Sequence, residues 1–102
     1  MTKREIVMKI STETGITQSD VKRIVQRTLD LIIEALEKGE TVELRNFGVF
    51  YVKKRKKRFG RNPNRPEEII PIPEKKVPDF KPGKIMKQKV EKVIEPEETQ
   101  NN

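Results

Sequence analysis

Apolar residues recur at helical spacing twice before residue 40. Ile6, Val7 and Ile10 form one face of a first helix, with Thr2 and Glu5 at capping-box spacing ahead of it and Gly15 as a left-handed stop behind. Thr17 and Asp20 repeat the box with a shorter acid, and Ile16 and Val21 stand at staple spacing. Val21, Ile24, Val25, Leu29, Ile32, Ile33 and Leu36 then continue the stripe as far as Gly39. A stripe of about five turns is roughly 30 Å long, more than one short helix can cover. The pattern predicts that the same helix of a second chain, together with a sheet, completes the cover.

From Thr41 the period changes to two. Val42 and Leu44 face one way, and Thr41, Glu43 and Arg45 the other. Asn46-Phe47-Gly48 reads as a tight turn built from residues that tolerate positive φ, and Phe50 and Val52 carry a second strand. After Val52 the alternation stops, because Lys53-Lys54-Arg55-Lys56-Lys57-Arg58 puts cations on both faces. A strand with no apolar face must leave the body of the protein. Phe59-Gly60-Arg61-Asn62-Pro63-Asn64-Arg65-Pro66 reads as a hairpin tip and Glu67 to Ile72 as the returning strand, confined to an edge by Pro71 and Pro73. A two-stranded ribbon without a core is marginal in water, so this arm, about 53–76, is expected to be mobile when free and ordered when bound. The chain rejoins the body at Val77 and Phe80. Pro82-Gly83 is expected to open a last helix with Pro near its first position, carrying Met86, Val90, Val93 and Ile94. One domain is expected over 1–94, with 95–102 a disordered polar tail.

Composition narrows the chemistry. Leu, Ile, Val and Phe make up 28 of 102 residues, lean for a self-sufficient globule. Cysteine and histidine are both absent, which removes disulfides, thiolate and imidazole chemistry and most metal sites, so no metal or other cofactor is expected. No apolar run approaches transmembrane length and no secretory leader is evident, as fits a cytoplasmic protein with no membrane partner. The net charge of +7 is unevenly placed. Residues 1–52 carry eight basic and eight acidic side chains, whereas 53–102 carry fifteen and eight. The segment 53–65, closing at Arg65, holds eight Lys or Arg and no carboxylate. Such a block is a footprint for a polyanion. A two-stranded ribbon fits a groove of duplex DNA, its cations neutralise phosphates, and a rigid proline at its tip, here Pro63, can enter a base step as a wedge.

Asn46-Phe47-Gly48-Val49-Phe50-Tyr51-Val52 followed by Arg58-Phe59-Gly60-Arg61-Asn62-Pro63 resembles the signature of the HU/IHF family of bacterial DNA-bending proteins. The later run Ile72-Pro73-Glu74-Lys75-Lys76-Val77-Pro78-Asp79-Phe80-Lys81-Pro82-Gly83-Lys84 resembles its second hallmark. The resemblance implies an α+β fold: an intertwined homodimer, or heterodimer with a paralogue, with a helical base of two N-terminal helices per chain, a three-stranded sheet saddle, a protruding two-stranded β-arm and a C-terminal helix. It implies contacts with phosphates and the minor groove of DNA at Lys53, Arg55, Arg58, Arg61 and Arg65, with Asn62 beside the wedge Pro63. It further implies lateral phosphate contacts at Lys81, Lys84 and Lys87, where the start of the last helix also favours an anion, with Thr2 and Lys3 adding to that surface. Phe47, Phe50 and Phe80 resemble the family's dimer-core aromatics. Asn46 stands where the family usually has Gly, and its amide can donate to a phosphate. The tip lacks the usual Thr-Gly, is one residue longer and carries Pro66 in place of a turn Gly.

The expected function is non-enzymatic: architectural binding and bending of double-stranded DNA in the bacterial nucleoid, with weak sequence preference and no small-molecule substrate. A site-specific IHF-like bender or transcription regulator is the alternative. A helix-turn-helix regulator is disfavoured because residues 17–38 sum to zero charge, whereas a recognition helix is normally cationic. RNA binding is disfavoured because only Tyr51 and Phe59 are candidates for base stacking. Asp20, Asp30, Glu34 and Glu43 are scattered on polar faces and suggest no catalytic pair.

Overall fold

A computed structural model describes residues 1–93. Helix α1 (Lys3–Thr14) starts where the Thr2 hydroxyl accepts from the Glu5 N–H at 3.2 Å, and it stops at Gly15, in the left-handed region with φ 78°. Helix α2 (Gln18–Glu37) is capped in the same way by Thr17, which accepts from the Asp20 N–H at 3.3 Å. The two helices pack on each other, and α2 also lies against strands β1 (Val42–Leu44) and β2 (Gly48–Arg55). The described residues contain no helix long and apolar enough to cross a membrane.

Strand β5 (Lys75–Pro82) completes an antiparallel sheet in the order β1-β2-β5. Strand β1 pairs only with Gly48–Phe50, so from Tyr51 onward the sheet is a two-stranded ribbon of β2 and β5. That ribbon continues through Lys53, Lys54 and Arg55, paired with Val77, Lys76 and Lys75. At Lys56-Lys57 and Pro73-Glu74 it is interrupted, and a separate ribbon of β3 (Arg58–Asn62) and β4 (Arg65–Ile72) carries the tip. The expected arm is therefore present in two segments. Its return strand starts at Arg65 instead of Glu67, because Arg65 pairs with Asn62 across the two-residue turn Pro63-Asn64.

Three local expectations need correction. Asn46 adopts the positive φ, at 67°, but Gly48 does not; it is the first residue of β2 and is buried. Pro82 ends β5 opposite Gly48, so Gly83 caps the last helix, α3 (Lys84–Val90), and Pro82 lies outside it. Helix α3 stops at Val90, with Glu91 extended at φ −77° and ψ 111°. Val90 and Val93 are 71% and 93% exposed, so nothing packs there to hold a further turn, and a lone short helix is not self-sustaining. The expectations for Ile94 and for the tail 95–102 lie outside the described residues.

The protomer has almost no interior of its own. Among the described residues only Val7 and Val21 are buried apolar residues, whereas Ile24 and Ile33 are 61% and 63% exposed. Its radius of gyration is 20.4 Å, against about 13 Å for a compact chain of this length.

Candidate nucleic-acid interface

The ladder of β2 and β5 sorts the ribbon's side chains, since paired residues share a face and neighbours alternate. Phe50 with Phe80 and Val52 with Pro78 lie on one face. Tyr51 with Asp79, Lys53 with Val77, Arg55 with Lys75, and Lys81 with Val49 lie on the other. The apolar face holds an aromatic cluster in which Phe80 sits 4.7 Å from Phe50 and 5.7 Å from Phe47, centroid to centroid. Phe47 remains 49% exposed. The opposite face carries an exposed row of cations, Lys81, Lys53, Arg55 and Lys75, leading out toward the arm.

Beyond the interruption the cations alternate. Arg61 shares a face with Phe59, Ile69 and Pro71, and Arg58 lies on the opposite face with Gly60, Ile70 and Ile72. Arg58, Arg61 and Arg65 are exposed, as is Pro63 at the turn, while Asn62 is half-buried. Among the described residues, Lys54 is the one cation of the 53–65 block within ion-pair distance of a carboxylate, 3.5 Å from Glu74. Among the same described residues, the rest of the block has no carboxylate within ion-pair distance. No ordinary core explains the block either, since Phe59 and Ile69 on the same ribbon are 67% and 61% exposed.

The body contributes a second group. The Gly83 N–H donates to the Phe47 carbonyl at 2.8 Å, which seats the Asn46 turn against the start of α3, next to Lys84. Lys84 and Lys87 stand three apart on that helix and are exposed. Within one protomer Lys3 lies on the helical layer, where its Nζ donates to Gln26 Oε1 at 2.5 Å. The Thr2 hydroxyl is occupied at the head of α1, accepting from Glu5 N and donating to Glu5 Oε1.

Two features escaped the sequence. Lys75 joins the cationic face only through its register with Arg55; the parity of Lys75 with Val77 was readable, but not which residue it would oppose. The Tyr51 hydroxyl donates to Asp79 Oδ2 at 3.2 Å across the ribbon. Partial burial, the nearby Asp79 charge and this hydrogen bond hold the Tyr51 phenol above its ordinary range.

Known proteins place this architecture. Residues 1–91 match the family described as bacterial DNA-binding protein. The chain is 47% identical to the DNA-binding protein HU of Thermotoga maritima over 90 residues, covering 88% of this chain and 99% of that one. The chain belongs to the HU/IHF family of bacterial DNA-binding proteins. Within that family it is also 41% identical to the integration host factor subunit alpha of a Caulobacter species over 96 residues, 92% of this chain and 93% of that subunit. Its fold is similar to that of the HU protein in an Anabaena HU–DNA cocrystal structure, with a TM-score of 0.81, 37% identity, and coverage of 88% of this chain and 97% of that one. The HU/IHF signature read at Gly60-Arg61-Asn62-Pro63 falls on the far end of β3 and the turn that follows it.

Proposed function

We propose that two copies of this chain form an intertwined dimer that grips duplex DNA between two basic arms and bends it, with weak sequence preference. The observation that carries this reading is the cationic face Lys81, Lys53, Arg55 and Lys75 on the inner ribbon, followed beyond the interruption by exposed Arg58, Arg61 and Arg65 on an outer ribbon that turns at Pro63. Phosphate neutralisation and counterion release supply affinity without reading bases. Pro63 is the wedge that opens a base step, and Asn62 lies beside it. Lys84 and Lys87, with Asn46 beside them, meet the flanking backbone, and Lys3 extends that contact along the base. Phe47, Phe50 and Phe80 belong to the shared dimer core.

This reading is architectural and not enzymatic. It involves no cofactor and no small-molecule substrate, and its place is the bacterial nucleoid. Flexible or distorted duplexes cost less to deform and are the preferred partners.

A mobility-shift assay with a four-way junction and a random linear duplex tests it, repeated across salt. The junction should bind more tightly. With six or more phosphates neutralised, affinity should fall about a thousandfold between about 50 and 200 mM salt. A flat salt response, or equal binding to a single-stranded RNA of the same length, would contradict the reading.

A further inference from the structure

The arm tip holds an arrangement that phosphate neutralisation does not use. Between Arg61 and Asn62 the ladder slips: Arg61 pairs with Ile69 but Asn62 with Arg65, so Pro66, Glu67 and Glu68 oppose a single step of β3. The slip carries Glu68 back to Asn62, whose Nδ2 donates to Glu68 Oε1 at 2.8 Å. The other end of the same amide, Oδ1, accepts from the Asn64 N–H at 2.9 Å. Arg61 Nη1 donates to the Pro66 carbonyl at 2.9 Å and ties down the far side of the bulge.

These contacts act on one element. An ionised carboxylate only accepts hydrogen bonds, so Glu68 admits one orientation of the Asn62 amide, with its NH2 toward Glu68 and its oxygen toward Asn64. Asn62 and Asn64 are the residues on either side of Pro63, and Pro63 itself has no N–H with which to fix its turn. The hydrogen bond to Glu68 therefore restrains the proline from both ends through a single side chain. A carboxylate near the tip opposes phosphate, so affinity does not explain the place of Glu68; of the arm's acids Glu67, Glu68 and Glu74, it is the one bonded to Asn62.

We infer that Glu68 is the positioning residue of the Pro63 wedge: acting through Asn62, it sets the pose in which Pro63 meets a base step, and so governs the bend and not the affinity. The inference rests on the DNA-bending reading above.

The full-length dimer on an end-labelled duplex provides the test, with bending read by energy transfer at saturation and affinity by titration. Glu68→Ala removes the acceptor; Glu68→Gln keeps an acceptor oxygen for Asn62 and removes the charge. Glu68→Ala should bind within about threefold of the unsubstituted protein, the scale of one screened surface charge, yet bend the duplex less. Glu68→Gln should restore the full bend. Thermal melts of all three proteins should coincide, because the tip contributes nothing to the core. Full bending by Glu68→Ala, or no restoration by Glu68→Gln, overturns the inference and leaves the bending reading intact. An unsubstituted protein that leaves the duplex straight overturns both.

Discussion

The Phe80 ring occupies the space where a side chain on Gly48 would begin. A Cβ built on Gly48 would stand 2.5 Å from Phe80 Cε1 and 2.7 Å from the Lys81 carbonyl oxygen. Room, and not backbone freedom, is what glycine supplies here. Gly48→Ala should push Phe80 off Phe50 and Phe47 and cost about 1–3 kcal/mol, the usual cost of overpacking. Chemical denaturation measures it, and a stability equal to that of the unsubstituted chain would mean the ring moves aside freely.

The exposed helical stripe sets a second expectation. For a monomer, Ile33→Glu on a surface 63% exposed should change stability by no more than about 0.5 kcal/mol. For a dimer that covers Ile33, the same substitution buries a carboxylate without a partner and should abolish assembly. Sedimentation of the variant, and a melting midpoint that rises with protein concentration for the unsubstituted chain, distinguish the two.

Wedge and charge should separate in the arm. Pro63→Ala is expected to reduce the bend more than the affinity, because the cations remain. Arg61→Ala is expected to weaken binding and leave the melting temperature unchanged, since Arg61 is exposed and, among the described residues, its guanidinium donates only to the Pro66 carbonyl at the tip. A large fall in melting temperature for Arg61→Ala would place the arm inside the body.

Tyr51 sets a pH dependence at the alkaline end. Its phenol is raised above 10.0 in the folded chain, so below pH 10 its contribution to stability is fully present. As pH rises further the unfolded chain loses the proton first, and the contribution is lost as pH passes the folded value. Tyr51→Phe should therefore lose less stability than the unsubstituted chain on going from neutral pH to above pH 10, as read by thermal melts. Identical losses would show that the Asp79 contact has no thermodynamic weight.

Much of this was legible from residue patterns, for local reasons. Thr2, Thr17 and Gly15 act within one helical turn, and Asn46 carries its positive φ alone, so their spacing suffices. The end of apolar alternation at Val52 locates the departing ribbon to within a few residues. What stayed hidden depends on partners distant in sequence. By spacing alone Gly48 is a turn glycine; the ring that fills its space belongs to Phe80, thirty-two positions later. Pro82 looked like a helix starter because its pairing with Gly48 is a matter of register, and register is not written in either segment alone. The Asn62–Glu68 contact follows from a slip in the ladder that no periodicity announces.

The interruption at Lys56-Lys57 and Pro73-Glu74 has a mechanical consequence. Two lengths of ladder meet where neither strand contributes a rung. The two lengths are joined through those four residues with no ladder pairing between them. On the DNA-bending reading proposed above, the angle at that joint is left to the duplex and not to sheet pairing.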